Sequence, residues 1–200
     1  CEIKTGDDCI AGYDARNVYI RNCYMNTSCN AFRFGGVNLT VEKCTVEGPG
    51  IYPHWVSGRH NLLYAFEYYS LQDDDIRENS GNWKISDCKF RNVDGFIHYV
   101  FGDEREHQTN RPMEHVLVEN CDITGLLKTS EYKGTEKTRG SIVFSNVSVG
   151  FREEAETTVF LEIDDTVRAD MAGVRKEQES VVLVRPQHDM IFLVFHRCPR

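Results

Sequence analysis

Two hundred residues with a formal net charge of -8, 40% hydrophobic and 27% charged, make a chain long enough to bury a sizeable core. The acidic balance argues against nucleic acid, whose recognition relies on clustered Lys and Arg. No run of about 18 apolar residues is present to span a membrane, and the chain does not open on a signal peptide.

In chain order, residues 1–16 begin with strand-like text and contain Lys4-Thr5-Gly6-Asp7-Asp8-Cys9-Ile10-Ala11. In a regular strand Asp7 and Asp8 point to opposite faces. For both to act together the backbone must bend, and Gly6 makes a bend cheap; a solvated turn accounts for two aspartates equally well.

A nine-residue sentence then starts at Asn17 and returns at Asn38, Asn82, His115 and Ser141. Each copy is apolar at its second, fourth, seventh and ninth positions: Val18, Ile20, Cys23 and Met25 in the first, Ile142, Phe144, Val147 and Val149 in the last. Alternation by two predicts a strand, and the step of three from fourth to seventh position predicts a corner, so that all four side chains face inward. Asn22, Lys43, Asp87, Asn120 and Asn146 stand at that corner. Asn and Asp tolerate the left-handed backbone a corner demands.

Such units cannot bury their apolar face alone and must stack. Starts 21, 44, 33 and 26 residues apart suit coils with a fixed strand core and variable loops. The fold class expected is all-β, a right-handed parallel β-helix; the alternative is a β-sandwich, which has no reason to repeat one corner. Cys23, Cys44, Cys88 and Cys121 share the seventh position, which predicts a stack of free thiols in the core rather than bridges. No CxxC spacing supports zinc or a redox pair, so no metal and no cofactor is expected.

Residues 47–81 read as one long inserted loop, rich in Trp, Tyr, His and Arg, as loops that bind sugars tend to be. Asp73 to Asp75 read as a solvated turn rather than a calcium loop, since the EF-hand spacing is missing. Phe96–Phe101 is a third strand of its coil, in which His98 alternates with apolar neighbours as a satisfied strand residue. Residues 102–112 and 128–139 are polar loops. Past Gly150 the sentence decays: 157–163 alternates as a strand, while 167–179 is a short helix or loop. The apolar runs 180–184 and 190–195 cap the solenoid or form a hairpin about Pro186. The expected division is therefore β-helix coils over 1–165 and an irregular C-terminal segment over 166–200. With strand text beginning at once and no visible cap, earlier coils are expected upstream of Cys1.

Asp7-Asp8-Cys9-Ile10-Ala11, the repeat with Cys23, and Ser28-Cys29-Asn30-Ala31-Phe32-Arg33-Phe34-Gly35-Gly36 resemble the central segment of the polygalacturonase family, glycoside hydrolase family 28, whose members are pectin-lyase-like β-helices. That family carries Asp-Asp-Cys-Leu/Ile-Ala, then Gly-His-Gly with Ser-Ile-Gly-Ser, then Arg-Ile-Lys. The resemblance implies Asp7 as the general acid, kept protonated by the like charge beside it, and Asp8 as the group activating water. Inverting hydrolysis divides the work in that way. Asn30 stands where the family has histidine, Arg33 where it has serine, and Tyr52 and His54 where it has substrate-binding cations; Arg59 and His60 lie close by to supply charge. The family's remaining carboxylate falls before Cys1. The partner implied is a pectin-type polysaccharide of uronate or deoxysugar units, met outside the cytoplasm, extracellularly or in a periplasm. A glycan-binding β-helix that does not cleave, and a lyase working by β-elimination with calcium or an Arg33 base, are the competing functions.

Overall fold

The computed structural model describes residues 1–72 and 74–187; Asp73 and the apolar run at 190–195 lie outside the described residues. The described residues form strands without helices: β1 (Glu2–Thr5), β2 (Ile10–Arg21), β3 (Tyr24–Thr27), β4 (Phe32–Glu42), β5 (Thr45–Glu47), β6 (Leu62–Tyr68), β7 (Trp83–Ser86), β8 (Lys89–Arg91) and β9 (Val93–Val100). There follow β10 (His115–Glu119), β11 (Asp122–Leu126), β12 (Ser130–Lys133), β13 (Gly140–Ser145), β14 (Ser148–Phe151), β15 (Val159–Ile163), β16 (Val167–Ala172), β17 (Arg175–Lys176) and β18 (Val182–Pro186).

Seven strands form one sheet in the order β1-β3-β5-β8-β11-β14-β17, and a second sheet runs β16-β13-β10-β7-β4-β6-β9-β12-β15-β18 with β2 beside β4. All these pairings are parallel. The second sheet is two faces joined by a bend. Phe32–Phe34 of β4 pair with β6, whereas Thr40–Glu42 of the same strand pair with β7. Three faces of parallel strands around one core are a parallel β-helix, as the repeated corner predicts.

Equivalent positions of the copies stack in register. Val116 lies opposite both Trp83 and Ile142, and Met25, Val46, Phe90, Ile123 and Val149 form one fully buried column. Asn22, Lys43, Asp87, Asn120 and Asn146 all have φ of 53–54°, the left-handed corner expected at the sixth position. A second corner escapes the sequence reading: Asn17, Asn38 and Asn82, at the first position, have φ of 55°, 60° and 54°. Their amides form a ladder in which Asn82 donates to Asn38 (2.6 Å) and Asn38 to Asn17 (2.8 Å). At the other corner Asn146 donates to Asn120 over 2.9 Å. Alanine in a left-handed backbone costs about 1–2 kcal/mol, so Asn120→Ala should lower stability by that much in denaturant unfolding. Asn120→Gly should cost less.

Aromatic side chains fill the wider layers. Phe32 stacks on Phe66 at 4.8 Å, Phe66 meets Phe96 at 5.5 Å, and Phe96 meets Phe160 at 6.2 Å. Cys44, Cys88 and Cys121 are buried and Cys23 is half-buried, all as free thiols; the Cys44 amide donates to Cys88 Sγ over 3.3 Å.

Three expected boundaries move, the shortest at 128–139, where β12 is a rung between β9 and β15 and not part of a loop. The excursion at 47–81 is not one loop, because β6 lies within it as a full rung between β4 and β9. Leu62, Phe66 and Tyr68 are core residues, so burial of their apolar side chains drives that stretch into the sheet. The coils also continue past 165, where an irregular segment is expected. Arg168 to Lys176 is a sixth copy: it stacks in register on the Ser141 copy, buries Ala169 and Met171, and turns its corner with Gly173 at φ 65°. Arg185 and Pro186 of β18 pair in parallel with Glu162 and Ile163 of β15.

Candidate functional site

Asp7 and Asp8 sit in the bend between β1 and β2. The Asp7 amide bonds Thr5 Oγ1 at 3.1 Å, and the Asp8 amide folds back to Asp7 Oδ1 at 2.9 Å. These bonds aim both carboxylates away from the core. Gly6 is required here, since a Cβ on it would run into the Pro53 carbonyl of the loop lying across the bend. The bend and the loop are therefore packed together.

That loop, residues 48–61, is fastened from beneath by Asn26, which is 3% exposed. Asn26 Nδ2 donates to the carbonyls of Glu47 (2.7 Å) and Pro49 (2.8 Å), while its Oδ1 accepts from the Ile51 amide at 2.7 Å. The loop tip is apolar and exposed, with Trp55 78%, Val56 68%, Ile51 57% and Tyr52 54% accessible. Trp55 is nonetheless held in place, because its Nε1–H donates to Asp7 Oδ2 over 2.9 Å.

Asn30 bonds Asp8 twice, from its amide N (3.1 Å) and from Nδ2 (3.0 Å), both to Oδ1. Its own Oδ1 accepts from the Tyr64 amide at 3.2 Å. Among the described residues no hydrogen bond reaches Asp8 Oδ2. Arg59 and His54 complete the cluster: Arg59 Nη1 is 3.2 Å from His54 Nδ1, and Nη2 is 3.4 Å from Cys29 Sγ. Tyr52 is tied in through its carbonyl, which accepts from Ser28 Oγ. His60 braces the loop base by donating from Nδ1 to the Gly50 carbonyl at 2.7 Å. Arg33 stands apart, three residues past Asn30 and within β4, with its guanidinium 4.3 Å over the Tyr69 ring. Of the eight residues singled out from sequence, Asp7, Asp8, Asn30, Tyr52, His54 and Arg59 thus come together, whereas His60 and Arg33 lie outside the cluster.

Two participants were missed. In the sequence Trp55 is one of several loop aromatics and Cys29 one residue of a motif; neither spacing reveals the contact each makes.

The electrostatics reverse one expectation. Partial burial pushes Asp7 upward, but the hydrogen bonds from the Asp8 amide and the Trp55 indole, with the field of His54, outweigh it. The carboxyl is held below its ordinary range. Asp7 is therefore ionised at neutral pH, not kept protonated by a like charge as expected. Burial, with Asp8 beside it, pushes the Cys29 thiol up to about 12, so it is no nucleophile. Asp7, Cys29 and His54 bring one donor atom each within 4.8 Å of one another, a mixed set that divalent metals accept. The Arg59 guanidinium already touches two of the three, however, so the chain itself supplies the positive charge there.

A second charged group lies on the same sheet face as Arg33. One outward residue per coil runs Arg33, Glu67, His98, Glu131, Glu162, Arg185 in register. Glu67 is 3% and His98 8% exposed. His98 Nδ1 is 2.8 Å from Glu67 Oε1 and Nε2 3.7 Å from Glu131, so the signs alternate when His98 is protonated. Lys133 bridges the one like-charged step, reaching Glu131 at 2.5 Å and Glu162 at 2.8 Å. Gln108 covers the pair and donates to Glu67 over 2.8 Å.

Compared with family models, with curated proteins and with solved structures, the chain matches none. Its resemblance to the polygalacturonases rests on the motifs of residues 4–46 alone, and what stands is the class of fold, an all-β parallel β-helix.

Proposed function

We propose that this β-helix is polygalacturonase-like and hydrolyses a pectin-type polysaccharide of uronate or deoxysugar units outside the cytoplasm, with Asp7 and Asp8 as its working carboxylates. The observation that carries this reading is the pinned indole. A tryptophan with its face in solvent and its N–H fixed to a catalytic-type carboxylate is a platform on which a sugar ring can stack. A ring so stacked lies beside both acids. Arg59 supplies the cationic side that a uronate needs, with the His54 imidazole beside it.

The division of labour follows from Asp7 being ionised. Asp7 serves as the base that activates water, and Asp8, whose Oδ2 accepts no hydrogen bond among the described residues, serves as the acid that protonates the glycosidic oxygen. This reverses the roles that the family resemblance implies.

A second reading, glycan binding without cleavage, is favoured by one observation: Asn30 occupies the place of the family histidine and cannot carry a proton at neutral pH.

A polysaccharide panel assayed for new reducing ends and for ultraviolet-absorbing unsaturated products separates the cases. Reducing ends alone support hydrolysis, unsaturated products point to β-elimination, and binding without either supports the second reading. In each case Trp55→Ala should weaken glycan binding by about tenfold or more, roughly 1.4 kcal/mol. Unchanged affinity would remove the platform from the argument.

A further inference from the structure

We infer that a second ligand pocket, for a neutral sugar unit, lies at the bend of the large sheet, away from Asp7 and Asp8. A cavity of about 560 Å³ opens there, between the second halves of β2 and β4 and the segments that lead into β7 and β10. Arg16, on its wall, is eight residues of largely extended chain from Asp8, roughly 20–25 Å. The volume lies within the range of small-molecule sites and exceeds what one sugar ring needs.

The wall is polar, and it includes the open end of the asparagine ladder. Asn82 donates to Asn38, and Asn38 to Asn17, so every amide points its donor the same way. Asn82 Oδ1 is left as the terminal acceptor, with no donor reaching it among the described residues. The next rung cannot supply one, because His115 replaces asparagine there and its Nδ1 is engaged with Ser141 Oγ at 2.8 Å. Hydrogen bonds in a chain polarise one another, which strengthens that last carbonyl as an acceptor. It calls for a hydroxyl.

The other groups on the wall fit the same ligand. Glu114 Oε1 accepts from Asn79 Nδ2 at 2.8 Å, leaving Oε2 for a second hydroxyl. Arg16 is paired with Glu78, so those two charges cancel and Glu114 remains as the unbalanced one. A single uncompensated carboxylate repels uronates and phosphates. Adjacent acceptors, with the His115 imidazole on the same wall, match the vicinal hydroxyls of a neutral sugar, which give and accept bonds from neighbouring carbons. This pocket therefore prefers the sugars that the cationic flank of the Asp7 cluster does not.

Titration of the chain with galactose, rhamnose, glucose and galacturonate, followed by ligand-observed NMR, tests the assignment. Saturable binding of a neutral sugar in the millimolar range is expected, with galacturonate at least about fivefold weaker. Glu114→Ala should weaken the neutral sugar by about tenfold. Asn82→Gly, which keeps the left-handed corner while removing the amide, should weaken it about fivefold. Circular dichroism melts of both variants establish that the fold survives. Trp55→Ala should leave this binding unchanged. No saturable binding up to roughly 0.1 M, equal affinity for galacturonate, or loss of binding in Trp55→Ala each overturns the proposal. None of these outcomes depends on whether Asp7 and Asp8 cleave a polymer.

Discussion

Asp8→Asn is expected to reduce turnover of any cleaved polysaccharide by about 10²–10⁴-fold, the usual worth of a positioned proton donor, while leaving glycan affinity within about twofold. The substitution is conservative in space. An asparagine Oδ1 at position 8 still accepts from the Asn30 amide and from Asn30 Nδ2, the two bonds that orient the native carboxylate. What disappears is the ability to deliver a proton from Oδ2. Asp7→Asn is a different experiment. Asp7 accepts from the Trp55 indole on one oxygen and from the Asp8 amide on the other, and an amide side chain has only one oxygen to offer. One donor must lose its partner, so Asp7→Asn should weaken binding as well as turnover. The acid limb of the activity profile should lie below the ordinary aspartate value of 3.8, because Asp7 is held ionised. If neither variant alters turnover of a substrate that is cleaved, the carboxylates are not the catalysts.

His98→Leu is expected to destabilise the fold by about 3–5 kcal/mol, because it strands a buried carboxylate. Glu67 has the imidazole as its charged partner at 2.8 Å and the Gln108 amide as a neutral one. Removing the first leaves an anion that water cannot reach. The double replacement of Glu67 and His98 by leucine should recover most of the loss, since two apolar side chains leave no orphaned charge.

The pair also fixes a pH trend. Burial pushes Glu67 up. Burial alone would lower His98, but Glu67 and Glu131, with Glu106 further off, outweigh it and raise the imidazole above 6.5. Both groups therefore bind protons more tightly in the folded chain than in the unfolded one, which makes stability fall as pH rises. The contribution of His98 is complete below its unfolded value and is lost as pH climbs through its raised folded value. Tyr64, stacked on the ring at 5.0 Å, Lys133 and Arg33 are the other ionisable neighbours. Urea unfolding at several pH values between about 5 and 9 checks the sign. A rise in stability over that interval in the native chain, or a double variant as weak as the single one, would sink the account.

The fold was legible because its constraint is local. A side chain at the sixth position either tolerates φ near 54° or it does not, and Asn22, Asp87, Asn120 and Asn146 announce this within nine residues. The sixth copy escaped because its cues are weak one by one: Ala169 and Met171 are modest strand formers, and Gly173 carries the corner that asparagine carries elsewhere. β6 escaped because no corner precedes it, so Tyr64, Phe66 and Tyr68 read as loop. The site was less legible than the fold. Asp7, Asp8 and Asn30 lie in motifs, but the Trp55 contact joins residues 48 apart, and no periodicity sets the path of a loop. Glu67 and His98 could not be paired from sequence either, because their register requires knowing that β6 exists.

The loops at the bend suggest a use for the molecule as a ruler. Residues 101–114, between β9 and β10, and 134–139, between β12 and β13, leave the column at the same edge in successive coils. Because corners and not loops set the pitch, peptides spliced into the 103–106 tip and the 135–138 turn should be presented about 4.8 Å apart along the axis. Moving one graft to the 164–166 connection would double the step without disturbing the rungs between.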